Sequence, residues 1–272
     1  METTLTGLRA RNPMAALAAY GLLRITSGLL MSWDSDDYPV INTSIDEIIE
    51  VLPNVINDEA ARIPLLPKKA KGWETLVDYK TFLAEHDVHG QRWIRAMVWV
   101  TRNGKIAKTP FLSSVRKPVT QLVQEALKEV AKRMPDAIEE ALIGPWKYED
   151  KVSHQYLDPS SHRIHARSTD QPTSLNPKGV GIALVLALMA LPYYAPIGRQ
   201  NRIGWHQDHF RWVTWSQWAT GMTARHYLAH PLLNLEDVPD LTHNGIIRVF
   251  SAEQVGVAGT SKNSYKGLVM AA

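Results

Sequence analysis

Residues 198–218, GRQNRIGWHQDHFRWVTWSQW, mix cations with flat rings. Arg199, Arg202 and Arg211 are interleaved with Trp205, Trp212, Trp215 and Trp218. Guanidinium groups neutralise phosphates, and indole or guanidinium planes stack on exposed bases. A strand alternates its two faces, so the four Trp cannot all share one side. Part of the set belongs to a core, and part faces outward or meets a partner. A second segment, 101–118, TRNGKIAKTPFLSSVRKP, carries Arg102, Lys105, Lys108, Arg116 and Lys117 and no acid. Its Asn103-Gly104 pair favours a tight hairpin turn, and a basic hairpin tip suits a sequence-independent grip on a phosphate backbone. Arg102, Lys105, Lys108, Arg116, Lys117, Arg199, Arg202, Trp205 and Arg211 are therefore the candidate nucleic-acid contacts.

The histidines suggest a different chemistry. His162-x-x-His165 and His206-x-x-His209, with Asp208 and His154 nearby, contain the nitrogen and oxygen ligands of a zinc or nuclease centre. The spacing is generic, and HExxH is absent. Asp34, Asp36 and Asp37 read as a solvated turn. GxGxxG, GxxxxGK[ST] and GxSxG are absent as well. The expectation is a non-catalytic protein without cofactor or metal. A His/Asp metal-dependent nuclease and a purely structural protein–protein subunit are the alternatives.

Two stretches carry a family resemblance. Leu5–Ile25 runs LTGLRARNPMAALAAYGLLRI, a Leu-x-Gly-Leu … Asn-Pro … Ala-Ala-x-Gly-Leu-Leu-Arg pattern. Later, Asn201-Arg202-Ile203-Gly204-Trp205 precedes Trp212-Val213-Thr214-Trp215 and Trp218. In order and spacing these stretches resemble the opening and the later basic-Gly-aromatic segment of large-subunit-type proteins of type I CRISPR systems, subtype G, formerly U. Asn176-Pro177 lies at a comparable place before that segment. The resemblance covers about 40 to 50 of the 272 residues. The chain is short for a large subunit, and Ser216-Gln217 stands where those proteins carry a Pro. The resemblance implies a Cascade-like, RNA-guided antiviral complex. In such complexes base pairing reads the sequence, while protein holds the backbone, recognises a short flanking motif or stabilises the displaced strand. The implied partners are guide RNA, target DNA or both, and other CRISPR effector subunits.

Composition permits this reading. The 45% hydrophobic content suffices for a core, and the absence of cysteine excludes disulfides, thiolate nucleophiles and cysteine-dependent zinc sites. Net charge is +3, unevenly spread. Residues 1–150 hold 19 Lys/Arg against 20 Asp/Glu, whereas 151–272 hold 11 against 7 and eight of the ten histidines. The apolar runs Met14–Leu30, interrupted by Arg24, and Gly179–Leu191, stopped by Pro192, read as core helices rather than as a leader or a membrane span. A cytoplasmic location and no membrane partner are expected.

The elements that must position these residues are mixed α+β: helices with short antiparallel strands and at least one basic β-hairpin. Asn12 caps a helix opened by Pro13. Ser44 and Glu47 form a capping box, and Pro53, Pro64 and Pro67 punctuate the stretch after it. Residues 75–85 have helical spacing, and Ile94–Val100 reads as a strand returning over Ile106–Leu112. Helices are expected over 118–134 and 136–142. Residues 147–175 read as polar loop, and Asn176-Pro177 opens the apolar helix. A strand is expected over 210–218, a loop or short helix over 228–238, a turn at Asn244-Gly245 and a strand over 246–250. Residues 256–272 read as a small, polar tail. The organisation is an N-terminal lobe, 1–150, a polar connection, 151–175, and a C-terminal basic and aromatic lobe, 176–272.

Overall fold

The computed structural model describes residues 1–67, 76–100, 104, 106–112, 117–152, 157–159, 178–196, 203–206, 209–257 and 265–270, with backbone alone for 254–257 and 265–270. The fold is mixed α+β, as expected. Helix α1 (Pro13–Ile25) begins where the sequence places it: Asn12 Oδ1 accepts the N–H groups of Met14 at 2.9 Å and Ala15 at 3.4 Å. Ser44 caps α2 (Ile45–Ala61) by accepting Glu47 N–H at 3.2 Å. Pro53 does not break α2 but lies inside it. Helices α3 (Leu76–Ala84), α5 (Val119–Val130) and α6 (Met134–Leu142) follow the predicted periodicity.

Other elements differ from the sequence reading. Ile94–Met97 is helical, the end of α4 (Val88–Met97), and only Val98–Val100 forms strand β4. Asp87 accounts for the helix, because its carboxylate accepts Gly90 N–H at 2.7 Å and nucleates the first turn. Helix α8 (Gly221–Leu228), unread in the sequence, is capped by Thr220. Strand β8 runs from Ile246 to Val257, beyond the expected 246–250, and β9 (Tyr265–Met270) pairs with it antiparallel, so the expected polar tail contains a strand.

The core is built around α7 (Gly181–Met189), every residue of which is buried. Helices α1, α5 and α6 pack on it. Burying a Leu, Ile or Val side chain contributes roughly 1.5–3 kcal/mol, so this all-apolar helix is the main source of cohesion. Beside it lies the antiparallel sheet β6 (Trp205–His206), β7 (His209–Trp215), β8 and β9, in that order. A smaller sheet, β1 (Thr3–Thr4), β3 (Pro39–Ile41) and β2 (Met31–Trp33), meets β7 through β2, with Met31 bridging to Ala219. One buried cluster runs from Leu5 to Ala252, so the sequence ranges 1–150 and 176–272 share a single core.

Helix α1 meets α7 backbone to backbone at Gly21. A Cβ at that position would lie 1.8 Å from the Leu186 carbonyl oxygen. By contrast, Gly28 has a φ of 75° and nothing within 4 Å of its Cβ direction. Gly21→Ala is expected to lose about 3 kcal/mol or more in urea unfolding, since helices must separate. Gly28→Ala is expected to lose only about 1–2 kcal/mol, the cost of left-handed backbone. Equal losses would mean that α1 and α7 tolerate separation.

Candidate nucleic-acid interface

The two strands of the expected hairpin pair with each other. Strand β4 pairs antiparallel with β5 (Ile106–Lys108), from Val98↔Lys108 to Val100↔Ile106. Gly104 has a φ of 74°, the left-handed conformation an Asn-Gly turn favours. Lys108 is exposed at the far end of β5. Lys117 is half-exposed and its ammonium lies 2.7 Å from the Glu125 carboxylate. Arg102, Lys105, Arg116, Arg199 and Arg202 lie outside the described residues.

Aromatic packing brings the two candidate segments to one place. The 3-10 turn Pro110–Leu112 follows β5, and its buried Phe111 has ring centroids 5.0 Å from Trp205, 4.8 Å from Phe210 and 5.2 Å from Tyr194. Trp205 opens β6, directly after the turn at Ile203-Gly204. Gly204 there has a φ of 74°, and a Cβ would sit 2.8 Å from the Tyr194 ring. Edge-to-face contacts of this kind add roughly 0.5–1.5 kcal/mol per pair beyond area burial.

Two of the predicted contacts point inward. Trp205 is 5% exposed inside this cluster, with its ring against Phe111 and Phe210. Arg211 is 8% exposed. It donates Nη1 to the carbonyls of Leu233, at 2.7 Å, and Leu235, and Nη2 to Glu236 O at 3.2 Å. Burial pulls its pKa down, and Glu236 offsets only part of that. The reason is that β7 is covered on both faces, so its alternate residues are all shielded past His209. Its other indoles fasten it to the N-terminal segment: Trp212 donates to Ala10 O at 2.7 Å and Trp215 to Met31 O at 2.9 Å. Trp218, beyond the strand, is 41% exposed.

His206 and His209 face each other as a cross-strand pair of β6 and β7. His154, His162, His165 and Asp208 lie outside the described residues. Among the described residues no group of three His, Asp or Glu could hold a metal ion. The Asp turn is not a solvated acidic patch throughout. Asp34 Oδ1 accepts the N–H groups of Asp36 and Tyr38 at 2.9 and 2.8 Å. Asp37, only 1% exposed, accepts Arg11 Nε at 3.1 Å and Arg248 Nη1 at 2.7 Å.

A second buried charge network escaped the sequence reading. Arg24, at the end of α1, donates Nη2 to Glu59 of α2 at 2.5 Å and Nε to the Met189 carbonyl. Trp93 of α4 donates Nε1 to the same Glu59 oxygen at 2.8 Å, and Arg24 lies 5.2 Å over the Trp93 ring. His89 Nε2 is 3.2 Å from Glu59 but outside hydrogen-bond geometry. Burial pushes the Glu59 carboxyl up, yet Arg24, Trp93 and His89 together hold it below 4.5. Burial pulls the Arg24 guanidinium down and the Glu59 charge opposes it, and arginine stays ionised throughout. Burial also holds the His89 imidazole below 6.5, aided by Arg62 and Arg24 and opposed by Glu59 and Asp87. The only sequence signal was a lone Arg in an otherwise apolar helix.

No protein-family model matches the chain, and no curated protein matches it.

Glu59→Gln leaves a buried guanidinium uncompensated and is expected to cost about 3–5 kcal/mol in urea unfolding. The pH dependence has a definite sign. A depressed carboxyl stabilises above its unfolded value and loses that contribution as pH falls through its folded value, so Glu59 acts below 4.5. A depressed imidazole binds its proton more readily when unfolded, so His89 removes stability as pH falls below 6.5. His89→Gln is therefore expected to lose less stability than the parent between pH 6.5 and 5. Parallel curves would show that this imidazole does not contribute.

Proposed function

We propose that this protein is a non-catalytic, nucleic-acid-binding subunit of a type I CRISPR effector complex, in which it grips crRNA or target-DNA backbone and bridges neighbouring subunits. The observation that carries the reading is the Phe111 cluster. It joins the end of the basic hairpin to the start of β6, right after the Arg199 and Arg202 segment. The described ends of the two cation-bearing segments, Phe111 and Trp205, are thereby anchored to each other. The job of their cations in this reading is sequence-independent phosphate contact. Trp205 and Arg211 serve it from within, as packing and as a carbonyl clamp. The resemblance of Leu5–Ile25 and Asn201–Trp218 to large-subunit-type proteins supplies the biological setting.

Charge reversal at Arg102, Lys105, Arg199 and Arg202 is expected to weaken binding to single-stranded RNA or DNA. Each lost phosphate contact reduces counterion release and flattens the dependence of log K on log[salt] by roughly 0.7 per contact. The loss is therefore largest at low salt. Filter binding from low to physiological salt measures it, and an unchanged affinity and slope would leave only a protein-bridging role. Tagged protein purified from its host is expected to carry short guide RNAs with a repeat-derived handle, together with CRISPR backbone subunits. A clean monomer would overturn the assignment.

A further inference from the structure

We infer that the region where the ends of α1 and α8 meet α4 is an oxyanion site that takes a phosphate group. Tyr193 and Tyr194 share the 3-10 turn Leu191–Tyr194 but serve different neighbourhoods. Tyr194 joins the Phe111 cluster, whereas the Tyr193 hydroxyl lies at the crossing of α1 and α8. A Cβ on Gly221, the first residue of α8, would lie 2.5 Å from that hydroxyl, 3.3 Å from Leu23 O and 3.7 Å from Arg24 Cα. Tyr193 is 5% exposed, and its hydroxyl has no hydrogen-bond partner among the described residues.

The groups around it include donors that are not fully satisfied. Arg225, one turn along α8, has a buried Nε that is also unpartnered among the described residues. Arg24 commits Nε and Nη2 to Met189 O and Glu59, and its Nη1 makes no hydrogen bond among the described residues. Exposed Arg92 of α4 adds a like charge that depresses the guanidinium pKa of both Arg24 and Arg225, after burial itself. Arg92 thus adds to the positive charge felt by Arg24 and by Arg225, while Glu59, the carboxylate that pairs with Arg24, is also held by Trp93.

A buried donor left without an acceptor is destabilising, and native structures hold few. Water would accept some of these bonds but would leave the positive charge uncompensated. A tetrahedral oxyanion does both: it accepts from the Tyr193 hydroxyl, Arg225 Nε and Arg24 Nη1, and it offsets the surplus charge. Arg92 at the exposed rim supplies attraction on approach. The same chemistry fits free phosphate and the terminal phosphate of a nucleic-acid strand. It does not depend on the hairpin reading.

The test titrates the full chain with inorganic phosphate by calorimetry at constant ionic strength. A saturable isotherm is expected. Tyr193→Phe, which keeps the ring and removes only the unpaired hydroxyl, and Arg225→Gln are each expected to weaken it roughly tenfold or more, as for a lost charge-assisted bond. Tyr193→Phe is expected to unfold at the same urea concentration as the parent without phosphate, which separates ligand loss from misfolding. Hairpin charge reversal is expected to leave the phosphate isotherm unchanged, so this site and the hairpin interface fail separately. A 5′-phosphorylated oligonucleotide that competes better than its unphosphorylated twin would assign the phosphate to a strand end. Competition by inorganic phosphate alone would assign it to a small molecule. No saturable binding, or equal binding by both variants, overturns the site.

Discussion

At the centre of the molecule two helix backbones touch without side chains between them. Gly21 of α1 lies against the Leu186 carbonyl of α7, closer than any other residue type would permit. That approach draws the apolar faces of both helices into one sealed layer, against which α5 and α6 also pack. The sheet is then held to the same layer by polar tips on large rings. Tyr20 of α1 donates to Val213 O at 2.7 Å, and the Trp212 and Trp215 indoles donate to Ala10 and Met31. Each ring buries area and satisfies a carbonyl at once, which is what lets a strand covered on both faces keep its register.

The charged groups are arranged around this layer rather than within it. Asp37 has a φ of 70°, a backbone conformation that aspartate tolerates better than most residues, and its carboxylate gathers Arg11 and Arg248 from opposite ends of the chain. Arg24 and Glu59 do the same for α1 and α2. Such pairs contribute little net energy relative to apolar substitutes, but breaking one strands a charge. Their value is geometric: they admit one arrangement of the segments they join. Arg211 illustrates the limit of reading cations as surface. Its charge is spent on three carbonyls that end the loop after Pro231.

Much of the fold was legible in the sequence because local chemistry decided it. Asn12-Pro13, Ser44 and the periodicity of α5 concern neighbouring residues, and these elements formed as expected. Ile94–Met97 misled because β-branched and aromatic residues pattern alike in short strands and buried helices, and the Asp87 cap outside the window decided between them. Strand β9 was unreadable because its stability comes from pairing with β8 rather than from its own pattern. The candidate site divides the same way. The hairpin and its cations were visible, while the inward turn of Trp205 and Arg211 depended on Phe111 and residues 233–236, remote in sequence. The partnership of Arg24 with Glu59, 35 residues apart, left no local trace beyond a misplaced charge.

The contact between α1 and α7 also has a consequence for synthesis. Arg24 and Met189, joined at the ends of these helices, are 165 residues apart. At about 5–20 residues per second, a ribosome needs roughly 10–30 s to make the stretch between them. Throughout that interval α1 lacks α7, the helix it packs on most closely, and the face that α7 covers has no such cover. The nascent chain therefore passes through a long, sticky stage that ends only when α7 leaves the exit tunnel.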